Sequence, residues 1–230
     1  MDGTNCLGVS VIATPVDGET KMSSHLAELK ANTEARLSAK NIKVIAHLPQ
    51  IEGLDEVTPK NAQIVARRVC AMSYVIGLGY GAKKRKLRNW LKKYKLWSSV
   101  TPYEKKCLGT FSISEQDKAN YQWMAEASQA LAWSLGLVEM DHFKHCDDDL
   151  ITKIPLESDP TEFIESAKLR PIEDIQKEVD LLYRMHWYAR NNQLQGKQSQ
   201  LSLSIIMERR RAIDWVYGTA EEWEDIDLST

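Results

Sequence analysis

The chain lacks any run of about 20 apolar residues, the length a membrane-crossing helix needs, so no bilayer-spanning helix is expected. It lacks cysteine pairs. Cys6, Cys70, Cys107 and Cys146 are scattered and none forms a C-x-x-C motif. In a chain of this length that usage belongs to a reducing compartment, where thiols serve as small apolar residues. It lacks an excess of one charge: 30 Lys and Arg stand against 32 Asp and Glu, for a net charge of -2. A dedicated nucleic-acid binder needs a strong basic excess, so that class is disfavoured, although a local basic patch stays open. It lacks the basic n-region of a signal peptide, and after Met1-Asp2-Gly3 the segment CLGVSVIA makes a better strand than a leader. Internal repeats and low-complexity linkers are also missing, which favours a single domain. Together these absences place the chain in the cytoplasm.

What is present is an ordinary globular composition, 43% hydrophobic and 27% charged, in a chain of 230 residues that can bury a core without staples. Residues 7–14 read as a strand ended by Pro15, with Asp17-Gly18 as a turn. A helix follows from Ser23 to about Ala39, and the alternation over 42–48 predicts a second strand ended by Pro49. Thr58-Pro59 reads as a helix start, and Ile64, Val65, Val69, Met72, Val75 and Ile76 then recur at helical spacing up to a glycine-rich GLGYG. Residues 83–97 are amphipathic. Ser114 with Asp117 forms a capping box, and Gly136 stops the helix it opens. Residues 139–158 read as an acidic loop, and Asp159-Pro160 starts a short helix. Pro171 starts a long helix, and a last one runs from Leu203 to Tyr217 and closes at Gly218. The expected class is α+β, mainly α: one helical domain over 23–230, with 1–22 as an N-terminal strand or arm and a small two-stranded β element near the N-terminus.

Four segments in the second half carry a resemblance. They are WMAEASQALAWSLG at 123–136, KLRPIEDIQKEVDLLYRMHWYAR at 168–190, MERRRAIDWVYG at 207–218 and WEDIDLST at 223–230. The spacing of L-R-P, D-x-x-Y-R-x-H-W, E-R-R-x-A-x-x-W and the closing W-x-D segment resembles the bacterial domain of unknown function family 4272. The resemblance implies architecture and no chemistry. Members look like accessory bacterial proteins, some linked to toxin–immunity loci, an analogy at the level of fold.

Five constellations invite a chemical reading, each beside a plainer one. On the long helix, Asp180, Tyr183, Arg184, His186 and Trp187 are expected to face Glu208, Arg209, Arg210, Asp214 and Trp215 of the last helix. As a site, Arg184 and Arg210 would clamp an anion with His186 as general acid or base. As structure, they form an inter-helix ion-pair network, the preferred reading. His142, His145 and Cys146 are metal-ligand types, but no second cluster completes a quartet, so no metal is expected. Gly77, Gly79 and Gly81 resemble a phosphate loop, yet they close a helix where such a loop must open one, so a helix end is preferred. The basic run from Lys83 to Lys95 carries Trp90 and Tyr94, with Trp97 just beyond, and could stack nucleic-acid bases. The same aromatics share a helical stripe with Leu87 and Leu91, which makes the lysines a solvated face. Finally, Asp147, Asp148 and Asp149, and the tail Glu221, Glu222, Glu224 and Asp225 around Trp223, are acidic segments suited to a basic protein partner.

No nucleophile–base pair and no cofactor loop emerges. The reading is a cytoplasmic protein-binding module of the immunity type that neutralises a bacterial antibacterial toxin, in its most concrete form a nuclease. The acidic residues 147–149 and 221–225 would hold the partner. The alternatives are an enzyme acting on a small anionic substrate through Arg184, His186 and Arg210, and a nucleic-acid binder through the 83–95 helix.

Overall fold

The computed structural model describes residues 17–230, with side chains from Ser24 onward. The helices are α1 (Asp17–Ser38), α2 (Ala62–Ile76), α3 (Lys84–Lys93), α4 (Pro102–Gly109), α5 (Glu115–Ser134), α6 (Thr161–Ser166), α7 (Ile172–Leu194) and α8 (Leu203–Tyr217), with single 3-10 turns at Trp97–Ser99, Leu150–Lys153 and Trp223–Asp225. Helix α8 is the centre: it packs on α5 and on α7, α5 carries α2, and α1 lies on α7. Apolar side chains closed to solvent fill much of the space where these helices meet, among them Val69, Met72, Leu131, Leu182, Ile206 and Ile213. Burying each such side chain stabilises by roughly 1.5–3 kcal/mol. No helix of the described residues is long and apolar enough to cross a membrane.

The mainly helical class holds, but the β element does not. Among the described residues there is no strand, and 42–48 is irregular backbone. Ile42 and Leu48 are buried, which supplied the apolar pattern. The carbonyls a partner strand would have used are instead taken by α1, whose Lys30 Nζ donates to Ala46 O at 2.8 Å and to Leu48 O at 2.5 Å. The strand expected at 7–14 lies outside the described residues. The expected turn at Asp17-Gly18 is instead the beginning of α1.

Other boundaries moved for physical reasons. Helix α2 starts at Ala62, because Asn61 caps it by accepting from Ile64 N at 2.9 Å. Thr58–Lys60 serves another purpose, tying this connection to the end of α8: Lys60 N donates to Val216 O at 2.9 Å and Thr58 N to Gly218 O at 3.4 Å. Ile64, read as part of the packed stripe, faces outward. Helix α3 ends at Lys93, and Lys95 takes φ 56°, so Trp97 belongs to a separate turn. Helix α4 was not anticipated, although Thr101 and Glu104 form a full capping box around Pro102. The Ser114–Asp117 box and the 203–217 helix with its left-handed Gly218 stand as read.

Candidate functional site

Helical spacing places Asp180 and Arg184 one turn apart on α7, and Arg210 and Asp214 one turn apart on α8. Arg184 Nε and Nη2 donate to the two Asp180 oxygens at 3.1 and 2.6 Å, and Nη2 also donates to Pro49 O at 3.3 Å. Its Nη1 lies 3.4 Å from Glu34 of α1. Arg210 Nε donates to Asp214 Oδ2 at 3.0 Å, and Nη1 reaches His186 Nδ1 at 2.8 Å. Nη1 and Nη2 also reach the tail carbonyls of Ser229, at 3.1 Å, and Asp227, at 3.4 Å. The Tyr183 ring links the two clusters, 4.9 Å from the Arg210 guanidinium and 5.9 Å from that of Arg184.

Six of the ten residues expected in this network therefore meet: Asp180, Tyr183, Arg184, His186, Arg210 and Asp214; Arg209 and Trp215 turn instead to Glu126 of α5 and to the tail. Trp187 is half-buried and takes no part in these bonds. Glu208 turns elsewhere, pairing with Arg211 at 3.2 Å. The chemistry of the network is that of a strut. Arg184 is fully buried and committed to protein partners, so it has no face for a substrate. Because Arg210 donates to His186 Nδ1, the imidazole proton sits on Nε2, which is buried without an acceptor. Burial, with Arg210 and Arg190 nearby, pushes the His186 pKa down to about 4. A neutral histidine with no free lone pair is a poor general base.

Three further buried pairs were not assigned from sequence. Arg209 binds Glu126 of α5 at 2.7 and 3.1 Å and donates to the carbonyls of Asp141 and Lys144, while Glu126 accepts from Cys146 N. This clamp fixes the loop that leads into Asp147–Asp149. Arg68 binds both oxygens of Glu104, at 2.9 and 2.7 Å. His142 Nε2 lies 2.6 Å from Glu178, whereas His145 contacts Glu126, so the two histidines serve separate partners. Among the described residues no cluster of His, Cys, Asp and Glu fits a metal ion. Burial pushes the Cys70 thiol up to about 12 and that of Cys146 to about 11, which leaves both unreactive near neutrality. Gly79 is a close-packing residue, not a phosphate cradle: a Cβ there would meet α5 backbone at 2.8 Å. On α3, Leu87 and Leu91 are buried, Trp90 stacks on Tyr94 at 5.3 Å, and the Lys93 ammonium lies over both rings.

The two acidic segments line separate cavities. Asp147 and Asp148 border one of about 320 Å³ with Tyr80 and Ile151, both exposed; Asp149 reaches Lys153 at 3.9 Å. The tail is strapped to the core. Trp223 is buried edge-on to Trp215, 5.6 Å away, and lies over the Arg68 guanidinium at 4.5 Å. Lys60 Nζ and Trp215 Nε1 donate to Glu221 O, and Glu224 accepts from Tyr103 N at the start of α4. Trp223 therefore anchors the tail, leaving its carboxylates outside.

The tail is also not alone. Glu52, Asp55 and Glu56 belong to the segment that Tyr217 holds, its hydroxyl donating to Glu52 O at 2.8 Å. Beside Lys60, Arg68 and Lys105, Glu221, Glu222 and Glu224 line one cavity, and Glu52, Asp225 and Asp227 line another; all of these carboxylates are exposed. None of these lies within ion-pair distance of a cationic side chain among the described residues. Sequence reading missed the 52–56 contribution, because the segment lies some 165 residues from the tail it joins. Between the two segments lies a cavity of about 240 Å³ lined by Glu52, Tyr183, Arg210, Asp214, Asp225 and Asp227 among others. Burial pushes the Asp214 pKa up to about 7 against the pull of Arg210, and Glu52 and Asp227 add to the rise.

A family model described as "Domain of unknown function (DUF4272)" matches residues 29–226. No curated protein and no solved structure matches the chain.

Proposed function

Because the chain belongs to the DUF4272 family, whose description assigns no activity, we propose a function from the chain's own surface: a protein-binding module that holds a basic partner on its acidic face. The observation that carries this is the set of carboxylates at 52–56 and 221–227 with no ion-pair partner among the described residues. Unpaired like charges on one face repel each other, a cost that a cationic partner relieves. The face is also preorganised. Trp223, Lys60, Tyr103 and Arg210 all hold the tail, so little ordering is required on binding.

In its most concrete form the partner is a bacterial nuclease toxin and this chain is its cytoplasmic immunity protein. A nuclease grips phosphates with a basic site, and an acidic face can occupy that site directly. The Asp147–Asp149 segment offers a second, smaller contact beside Tyr80 and Ile151. The enzyme reading has less support, since Arg184 and His186 are committed within the fold.

The test is protection. Cells expressing toxins encoded beside this gene should survive when the wild-type chain is co-expressed. They should die with a variant carrying Glu52→Gln, Glu56→Gln, Glu221→Gln, Glu222→Gln and Asp225→Asn that folds normally. Protection that is absent for the wild type, or unchanged in the variant, contradicts the proposal.

A further inference from the structure

Helix α3 and its flanks carry the opposite charge: from Lys83 to Lys95 there are eight lysines and arginines and no acid. Periodicity alone would bury the aromatics of this stretch with Leu87 and Leu91 and leave the cations to solvent. In the fold the two leucines are buried, but Trp90 and Tyr94 stay half-exposed, their rings stacked at 5.3 Å and 9°. The exposed Lys93 sets its ammonium over both rings, 4.5 and 4.9 Å from their centres, so that side of the pair faces outward. A shallow concavity of about 400 Å³ opens there, lined by Lys83, Arg85, Lys86, Asn89, Trp90 and Lys93. Lys86 pairs with Glu157 at 2.6 Å. Lys83, Arg85 and Lys93 have no carboxylate within ion-pair distance among the described residues. A second acid, Asp159, lies near this surface; Thr161 first, then Lys93 and Lys95, hold its carboxyl below the usual range.

We infer that the outer face of α3 binds single-stranded nucleic acid, with Lys83, Arg85 and Lys86 on the phosphates and a base stacked on the Trp90–Tyr94 pair. Unpaired cations on one helix face repel each other, and a polyanion laid along them removes that cost. Every base has a π-face, so an outward ring pair serves as a stacking platform whatever the sequence. Lys93 then leaves the rings for a phosphate as the base takes its place. Asn89 beside the platform offers both a donor and an acceptor to a base edge. A duplex fits poorly, because its bases already stack on one another. Rings that lie flat do not project into acyl chains as a lipid-surface anchor does, and a carboxylate-bearing protein would leave the ring pair unused. The net charge of -2 does not oppose this, since binding follows the local potential, which salt screens over about 8–10 Å. The surface shares no residue with the carboxylates at 52–56 and 221–227, so it stands or falls apart from the docking proposal.

The test is fluorescence anisotropy of the full chain with a short labelled single strand, the same strand in a duplex, and an abasic strand of equal length. The single strand should bind, the abasic strand about tenfold more weakly, and the duplex more weakly than the single strand. Affinity should fall with salt at a log–log slope of about -3, the value for about four phosphate contacts on a single strand. Lys83→Gln combined with Arg85→Gln, both exposed changes, should cut that slope by about half and keep the preference for a strand with bases. Trp90→Leu should do the reverse, keeping the slope and erasing the preference over the abasic strand. Should Trp90→Leu disturb the fold, the abasic strand and the exposed double variant decide the matter without it. No binding of the single strand, equal binding of the abasic strand or the duplex, or an unchanged slope in the double variant would each overturn the inference. Tighter binding to phosphatidylserine vesicles than to the strand would overturn it in favour of a lipid surface.

Discussion

At the scale of single residues, what the sequence disclosed depended on separation along the chain. The Asp180–Arg184 and Arg210–Asp214 pairs are four residues apart, so helical periodicity alone predicts them. Arg68–Glu104 and Arg209–Glu126 are separated by 36 and 83 residues, and only the folded topology brings them together. Burial then sets their chemistry, and His186 gives a pH signature. Its pKa is lowered from 6.5 unfolded to about 4 folded. Above pH 6.5 both states are neutral and its contribution is fully present. As pH falls toward 4 the unfolded chain takes up a proton that the folded chain refuses, so stability is lost over that window. The loss should be about 3 kcal/mol. His186→Gln keeps an acceptor for Arg210 but cannot titrate. Denaturant unfolding from pH 7 to pH 4 should therefore show a shallower decline for the variant, and parallel declines would place the histidine in a solvated site.

At the scale of elements, apolar periodicity located the long helices, and α8 and its glycine stop were fully legible. The error at 42–48 has a definite cause. Two buried residues at the ends of a segment imitate strand alternation, and the lysine that satisfies its carbonyls sits on another element, at Lys30. The missed α4 is different, since Thr101, Pro102 and Glu104 were in plain view as a helix start. The joint between α8 and the 58–60 connection is closely packed at Gly218. Gly218 has φ 93°, and a Cβ there would meet Thr58 O at 2.0 Å. Both the conformation and the space require glycine. Gly218→Ala should cost upwards of 1 kcal/mol and loosen 58–60 from α8. Hydrogen exchange at Lys60 N, which bonds Val216 O, is the check; unchanged protection and unchanged stability would show that the joint yields freely.

At the scale of the whole molecule, the net charge of -2 conceals a segregation that composition cannot show. Residues 83–95 are rich in lysine and arginine and contain no acid, while 52–56 and 221–227 are acidic and contain no base. The sequence revealed the tail as one acidic segment and paired it with 147–149. In the fold, Tyr217 and the Gly218 joint also hold 52–56 and 58–60 at the end of α8 from which the tail leaves. Long-range attraction from such a face steers a basic partner and is screened over about 8–10 Å at ordinary ionic strength. The most direct measurement is the association rate of the purified chain with its partner across a series of salt concentrations. The wild type should associate quickly at low salt and slow steeply as salt rises. A folded variant with the 52–56 and 221–227 carboxylates neutralised should be slower by about tenfold or more at low salt and nearly flat in salt, with the Asp147–Asp149 triplet contributing less. An association rate indifferent to both salt and these carboxylates would contradict the acidic face as the docking surface.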